Sequence, residues 1–126
     1  MIIPDTINGT TITTLGAFAL RHSTITSVEL PAYLTTIESL ALSSVGVSSL
    51  KLPNTLKTIG SYGLSSSSIT DIILPEGLIS IDANAFRGAS LSSISIPESV
   101  VTIGTNAFDQ NGLAKNSLDL PRGGSN

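Results

Sequence analysis

The sequence predicts a β-rich, right-handed solenoid of about five coils. Short parallel strands stack into sheets, and short helical or 3₁₀ turns join them. Two observations carry this. Pro31, Pro53, Pro75 and Pro97 stand 22 residues apart, and a fixed period between 20 and 50 residues is the signature of stacked repeats. The period also holds in whole apolar columns. Leu15, Ile37, Ile59, Ile81 and Ile103 share one phase, and Leu20, Leu42, Leu64, Phe86 and Phe108 share another. A lone 22-residue coil cannot offset the entropy of ordering itself. Identical coils stacked on one another bury each other's faces and share ladder hydrogen bonds.

The elements follow in chain order. Ile2-Ile3-Pro4 reads as the end of a strand, but five extra residues separate Pro4 from the register of Leu15, and Asn8-Gly9 within that excess is a turn pair. Each regular coil then offers a short strand with period-2 alternation ahead of its proline: Val28–Leu30, Leu50–Leu52, Ile72–Leu74 and Ile94–Ile96. The proline ends it, lacking the N–H of a central strand. A second extended piece follows at Leu34–Ile37, Leu56–Ile59, Leu78–Ile81 and Val100–Ile103. The Ala-Phe or Ala-Leu step next to it predicts a helical turn or 3₁₀ segment closing the third side. Gly16, Gly60 and Gly104 fit a corner, and since Glu38 and Asp82 share their column, a left-handed backbone is not required there. Leu118 and Leu120 arrive two residues late, placing an insertion within Ala114–Ser117. The chain is expected to be one domain over residues 1–121: an irregular N-terminal coil (1–14), regular repeats (15–117) and a terminal strand (118–121), followed by a flexible tail (122–126).

These columns resemble the BspA-type leucine-rich repeat. The clearest copy runs from Leu74-Pro75 through Leu78, Ile81 and Ala85-Phe86 to Leu91, Ile94 and Ile96-Pro97, and the resemblance covers roughly residues 10–121. The family often carries Cys shortly after the Ala-Phe pair, where this chain has Ser23, Val45, Ser67, Ala89 and Asn111. The resemblance implies surface-exposed or secreted proteins that bind other proteins or host surfaces, mostly without catalysis.

Composition narrows the functions. Aromatic residues are only 4% against 40% hydrophobic, so the core is aliphatic and thin. A net charge of −3 leaves no basic patch for nucleic acid. With no Cys, disulfides and thiolate metal sites are excluded. No apolar run approaches the ~20 residues of a membrane-spanning helix, and no signal peptide is visible at Met1-Ile2-Ile3-Pro4. The chain reads as no enzyme. Its sole histidine, His22, shares its column with Ser44 and Ser66 and is read as an exposed turn residue rather than a base. Glu76 and Glu98 share a column with Asp5 but are interrupted by Ala32 and Asn54, which reads as a solvated edge rather than a calcium site. No cofactor or metal is expected. Asn8-Gly9-Thr10 matches a glycosylation acceptor but carries little weight in a chain this rich in Thr.

The expected binding face is the exposed side of the strands before the prolines: Ser27, Glu29, Ser49, Lys51, Asp71, Ile73, Ser93 and Ser95. Glu29 and Lys51 are neighbours able to pair, and Ile73 is an outward apolar residue beside Lys51 and Asp71, which reads either as a scattered surface residue, the commoner case, or as a small hot spot. A hydroxyl recurs in every coil at Thr14, Thr36, Thr58, Ser80 and Thr102. It reads as a structural ladder, with a ligand-binding array as the alternative. Ile2, Ile3, Leu118 and Leu120 are candidate end contacts for self-association or assembly through the solenoid ends, because no dedicated C-terminal cap is visible. The leading functional expectation is a non-enzymatic, adhesion-type module for a protein or surface ligand, extracellular or cell-surface if a leader lies outside this sequence. The alternative is a structural subunit of a larger assembly, such as a virion or surface appendage, held through its solenoid ends.

Overall fold

A computed structural model describes residues 1–111 and 118–119. The expected insertion within Ala114–Ser117, Leu120 and the expected tail at 122–126 lie outside the described residues. The chain begins with a two-stranded hairpin, β1 (Thr6–Ile7) and β2 (Thr10–Thr11), paired antiparallel. Asn8 and Gly9 at its tip have φ of 51° and 80°, the positive pair that a tight two-residue hairpin needs. The five extra residues of the first coil are therefore this hairpin, and Asp5 ties it to the stack by accepting the Ala32 N–H at 2.9 Å.

The continuous sheet has five parallel strands in which like residues pair rung on rung: β3 (Thr14–Leu15), β4 (Thr36–Ile37), β5 (Thr58–Ile59), β6 (Ser80–Ile81) and β8 (Thr102–Ile103). The segments before the prolines behave differently from the strands expected there. Only Ile94–Ser95 (β7) is a strand, paired with Leu118–Asp119 (β9), and the rest of that side shows two isolated bridges, Ile2 to Glu29 and Ser49 to Asp71. Alternation of side chains survives here, with Leu50, Leu52, Ile72 and Leu74 pointing into the core, but the backbones do not form a ladder. Each proline instead opens a turn, its carbonyl accepting the N–H three residues on, as Pro53 does from Leu56 at 3.1 Å and Pro75 from Leu78 at 3.0 Å.

No helical turn, α or 3₁₀, occurs among the described residues. The third side is closed by a run of turns in which two columns have a left-handed backbone. One is Phe18, Leu40, Tyr62, Asn84 and Asn106; the other is His22, Ser44, Ser66, Gly88 and Gln110, all with φ between 54° and 69°. These flips interrupt a helical sequence of turns and aim alternate N–H groups at the next rung. In the second coil Leu40, Leu42 and Ser44 donate to the carbonyls of Ser61, Gly63 and Ser65 at 2.8–3.0 Å, while Ala41 and Ser43 bond back three residues. The Ser43 and Ser65 hydroxyls, both buried, meet at 2.9 Å, and Ser65 also donates to the Tyr62 carbonyl.

A left-handed backbone costs an ordinary L-residue roughly 1–2 kcal/mol, more than the entropy glycine loses, about 0.5–1 kcal/mol. Ser66 (φ 54°) is exposed and shares its column with Gly88. Ser66→Gly is expected to raise the unfolding free energy by about 0.5 kcal/mol in urea titrations; a loss would show that the Ser66 side chain compensates its own strain.

The core is one aliphatic seam between these sides. Leu34, Ile37, Leu42, Leu56, Ile59, Leu64, Leu78, Ile81 and Phe86 are fully buried. Phe86 stacks on Phe108 with ring centroids 5.4 Å apart and planes 8° from parallel. Below them Asn111 has a part that its sequence position alone does not assign. Its Nδ2 donates to the carbonyls of Phe86 (2.8 Å) and Phe108 (2.9 Å), and its Oδ1 accepts the Leu91 N–H at 3.0 Å. The clue is its place in the column that often holds Cys in the resembled family, where an amide has both donor and acceptor for turn backbone.

Candidate functional site

All eight residues of the expected binding face, Ser27, Glu29, Ser49, Lys51, Asp71, Ile73, Ser93 and Ser95, are exposed on the side that carries the prolines. The pre-proline segments around Glu29, Lys51 and Ile73 share no continuous ladder, and grooves lie between them. One of about 400 Å³ lies between the Glu29 and Lys51 segments, flanked by Leu30 and Leu52. Another of about 450 Å³ lies between the Lys51 and Ile73 segments, floored by Leu50, Leu52 and Ile72, with Asp71 and Pro75 on its rim. Ile73 is 87% exposed beside this second groove. Lys51 borders both. Glu29 and Lys51, able to pair by sequence, form no ion pair or hydrogen bond with each other among the described residues. The Lys51 ammonium is left to solvent between two carboxylate-bearing rungs.

The N-terminal residues join this face. Ile3 donates to the Glu29 carbonyl at 3.0 Å and Glu29 donates to the Met1 carbonyl at 2.8 Å, setting Ile2 opposite Glu29. Ile2, 71% exposed, thus stands in the same outward column as Glu29, Lys51 and Ile73. By sequence it reads as an end contact, because the extra hairpin hides its register. Ile3 is half-buried against the core. Leu118 lies in β9, and Leu120 lies outside the described residues.

The recurrent hydroxyls line the outer face of the continuous sheet, half-buried at Thr36, Thr58 and Ser80, with Ser80 Oγ 3.4 Å from Thr58 Oγ1. Beside them Gly60 leaves a dent of about 280 Å³ between Glu38 and Asp82. Glu38 accepts the N–H of Ala17, another residue lining the dent, at 3.1 Å. His22 is exposed, in a left-handed turn position. Among the described residues no three His, Asp or Glu converge as metal ligands, and no helix is long and apolar enough to cross a membrane.

The family model described as BspA type leucine rich repeat region matches residues 3–115 in six copies. No curated protein and no solved structure matches the chain.

Proposed function

The chain belongs to the BspA-type leucine-rich repeat family, and from that premise we propose that it is a non-enzymatic, adhesion-type binding module that engages a protein through the groove between the Lys51 and Ile73 rungs. Repeats of this kind generally mediate protein binding, and the family is associated with surface proteins, which supports an extracellular or cell-surface setting. The observation that carries the choice of site is Ile73. A large aliphatic side chain left 87% exposed at the edge of a groove floored by leucines costs solvation in the free protein and regains it under a partner. Lys51 and Asp71 at the same groove supply charges that fix the partner's register.

The test works with the chain alone as bait. A random peptide library displayed on phage is selected on the native chain, and the enriched peptides are then measured against the Ile73→Asp, Lys51→Glu double variant. Loss of a hot spot of about 2 kcal/mol weakens binding about 30-fold. The far-ultraviolet circular dichroism of the variant stays that of the native chain, because both residues are exposed. Peptides that bind the two proteins equally would place the site elsewhere.

A further inference from the structure

We propose that a second copy of this chain stacks head to tail on the first, continuing its hydrogen-bond ladders across the junction. The inference rests on the backbone groups that the ladders leave open at the two ends, not on the groove face. On the sheet side the parallel strands exchange bonds in both directions. Thr36, Thr58, Ser80 and Thr102 N–H groups bond the carbonyls of Thr13, Thr35, Lys57 and Ile79, and Glu38, Gly60, Asp82 and Gly104 bond those of Leu15, Ile37, Ile59 and Ile81. On the turn side the rung-to-rung bonds run forward. Phe18, Leu20 and His22 donate forward to Ser39, Ala41 and Ser43, and the pattern repeats down to Asn84, Phe86 and Gly88 donating to Thr105, Ala107 and Asp109.

The first and last rungs are therefore left with opposite halves of both patterns. Among the described residues, the first rung holds the N–H groups of Thr14 and Gly16 and the carbonyls of Ala17, Ala19 and Arg21 without ladder partners. The last holds the carbonyls of Val101 and Ile103 and the N–H groups of Asn106, Phe108 and Gln110 without them. Each donor of one end has its acceptor at the other, at the same phase of the repeat. Unpaired sheet edges and turn groups of this kind are templates for another chain, and a heterologous contact between unlike ends propagates as an open filament.

Side chains match as well. Ala41 and Ala85 are fully buried and Ala107 nearly so, yet Ala19 in the same column is exposed. Leu20 and Phe108, whose column-mates Leu42, Leu64 and Phe86 are buried within the stack, are only partly buried at its two ends. Val101 is 81% exposed. Stacking would put Ala19 over Ala107 and Leu20 over Phe108. On the proline side Met1–Ile3 and Leu118–Asp119 each extend the stack by one rung. In an in-register junction the incoming Met1–Ile3 therefore takes the Ile94–Ser95 edge from Leu118–Asp119.

The chain has no cysteine, so an engineered pair reports the junction cleanly. In Thr14→Cys, Thr102→Cys the two positions lie four rungs apart within one copy, about 19 Å, but one rung apart, about 4.8 Å, across the junction, within reach of a disulfide. Air oxidation of the double variant is expected to give a ladder of dimers, trimers and higher species on a non-reducing gel, where each single variant gives at most a dimer. Adding Ala19→Arg collapses the ladder, because that side chain is exposed in the monomer and buried at the junction; adding Ile73→Asp leaves it intact. The unmodified protein, in light scattering to about 1 mM, shows a mass that rises with concentration. A constant monomer mass together with no ladder, or single variants that dimerise as readily as the double variant forms its ladder, would overturn the proposal and leave the groove reading untouched.

Discussion

Phe86→Ala is expected to lower the unfolding free energy by about 3–5 kcal/mol. Phe86 is fully buried, and its ring is stacked on Phe108 at 5.4 Å. Truncation removes the largest side chain of the inner column and leaves a void that the rungs on either side, held at fixed spacing by ladder bonds, cannot collapse to fill. Against a total stability of order 5–15 kcal/mol that is a third or more. The conservative change separates cavity from chemistry: Leu42 and Leu64 occupy the same column and are equally buried, so Phe86→Leu should cost only about 1 kcal/mol. Urea titrations of the two variants give both numbers. A cost below about 1 kcal/mol for alanine would mean that the rungs close up and that the stack is softer than its ladders suggest.

The second large effect falls on glycines whose backbone is not left-handed. A Cβ on Gly104 would overlap the backbone of Ala83 and Asp82, and one on Gly60 would come within 2.9 Å of the Ile37 carbonyl oxygen and the Glu38 carbonyl carbon. These atoms belong to the adjacent rung's main chain, which is tied by Gly60 N–H to Ile37 and Gly104 N–H to Ile81, both 2.7 Å. The clash can be relieved only by parting the rungs. Gly104→Ala is expected to cost about 3 kcal/mol. Gly46→Ala serves as the comparison, since its Cβ meets only the Ile25 carbonyl at an ordinary 3.5 Å. Equal urea midpoints for the two variants would show that the corner yields.

The 22-residue columns place the buried seam, because a residue that recurs at one phase of a stack must meet its own kind above and below. The Asn8-Gly9 pair locates the hairpin turn for the same local reason: few sequences accept two positive φ values. The ladder is harder to place. Alternation in Val28–Leu30 or Ile72–Leu74 reports an extended backbone with one side buried, but hydrogen bonding between rungs depends on the spacing of coils, which no single segment encodes. The turns are hidden for another reason. Phe18, Leu40 and Tyr62 occupy positions where Gly or Asn would announce a left-handed backbone, and only Gly88 and the Asn84 and Asn106 column-mates hint at it. Glu38 and Asp82 likewise conceal why their column needs glycine at positions 60 and 104, which is proximity rather than torsion. Of the candidate site, the outward residues can be read from alternation; the grooves between them cannot, since they lie where the rungs share no continuous ladder.

That missing ladder gives the stack an unequal stiffness. Two of its sides are stitched at every rung by bonds of 2.7–3.4 Å, while among the described residues the proline side carries the bridges Ile2–Glu29 and Ser49–Asp71, the Ile94–Leu118 pair and single bonds such as Thr70 N–H to Ser48 and Ser92 N–H to Thr70, both 3.3 Å. A column bound on two sides and slack on the third bends like the spine of a book. The stitched sides act as the binding and the proline side as the opening pages. Load along the axis falls on the sheet and the turns, and a bend toward the proline side would change the width of the grooves beside Lys51.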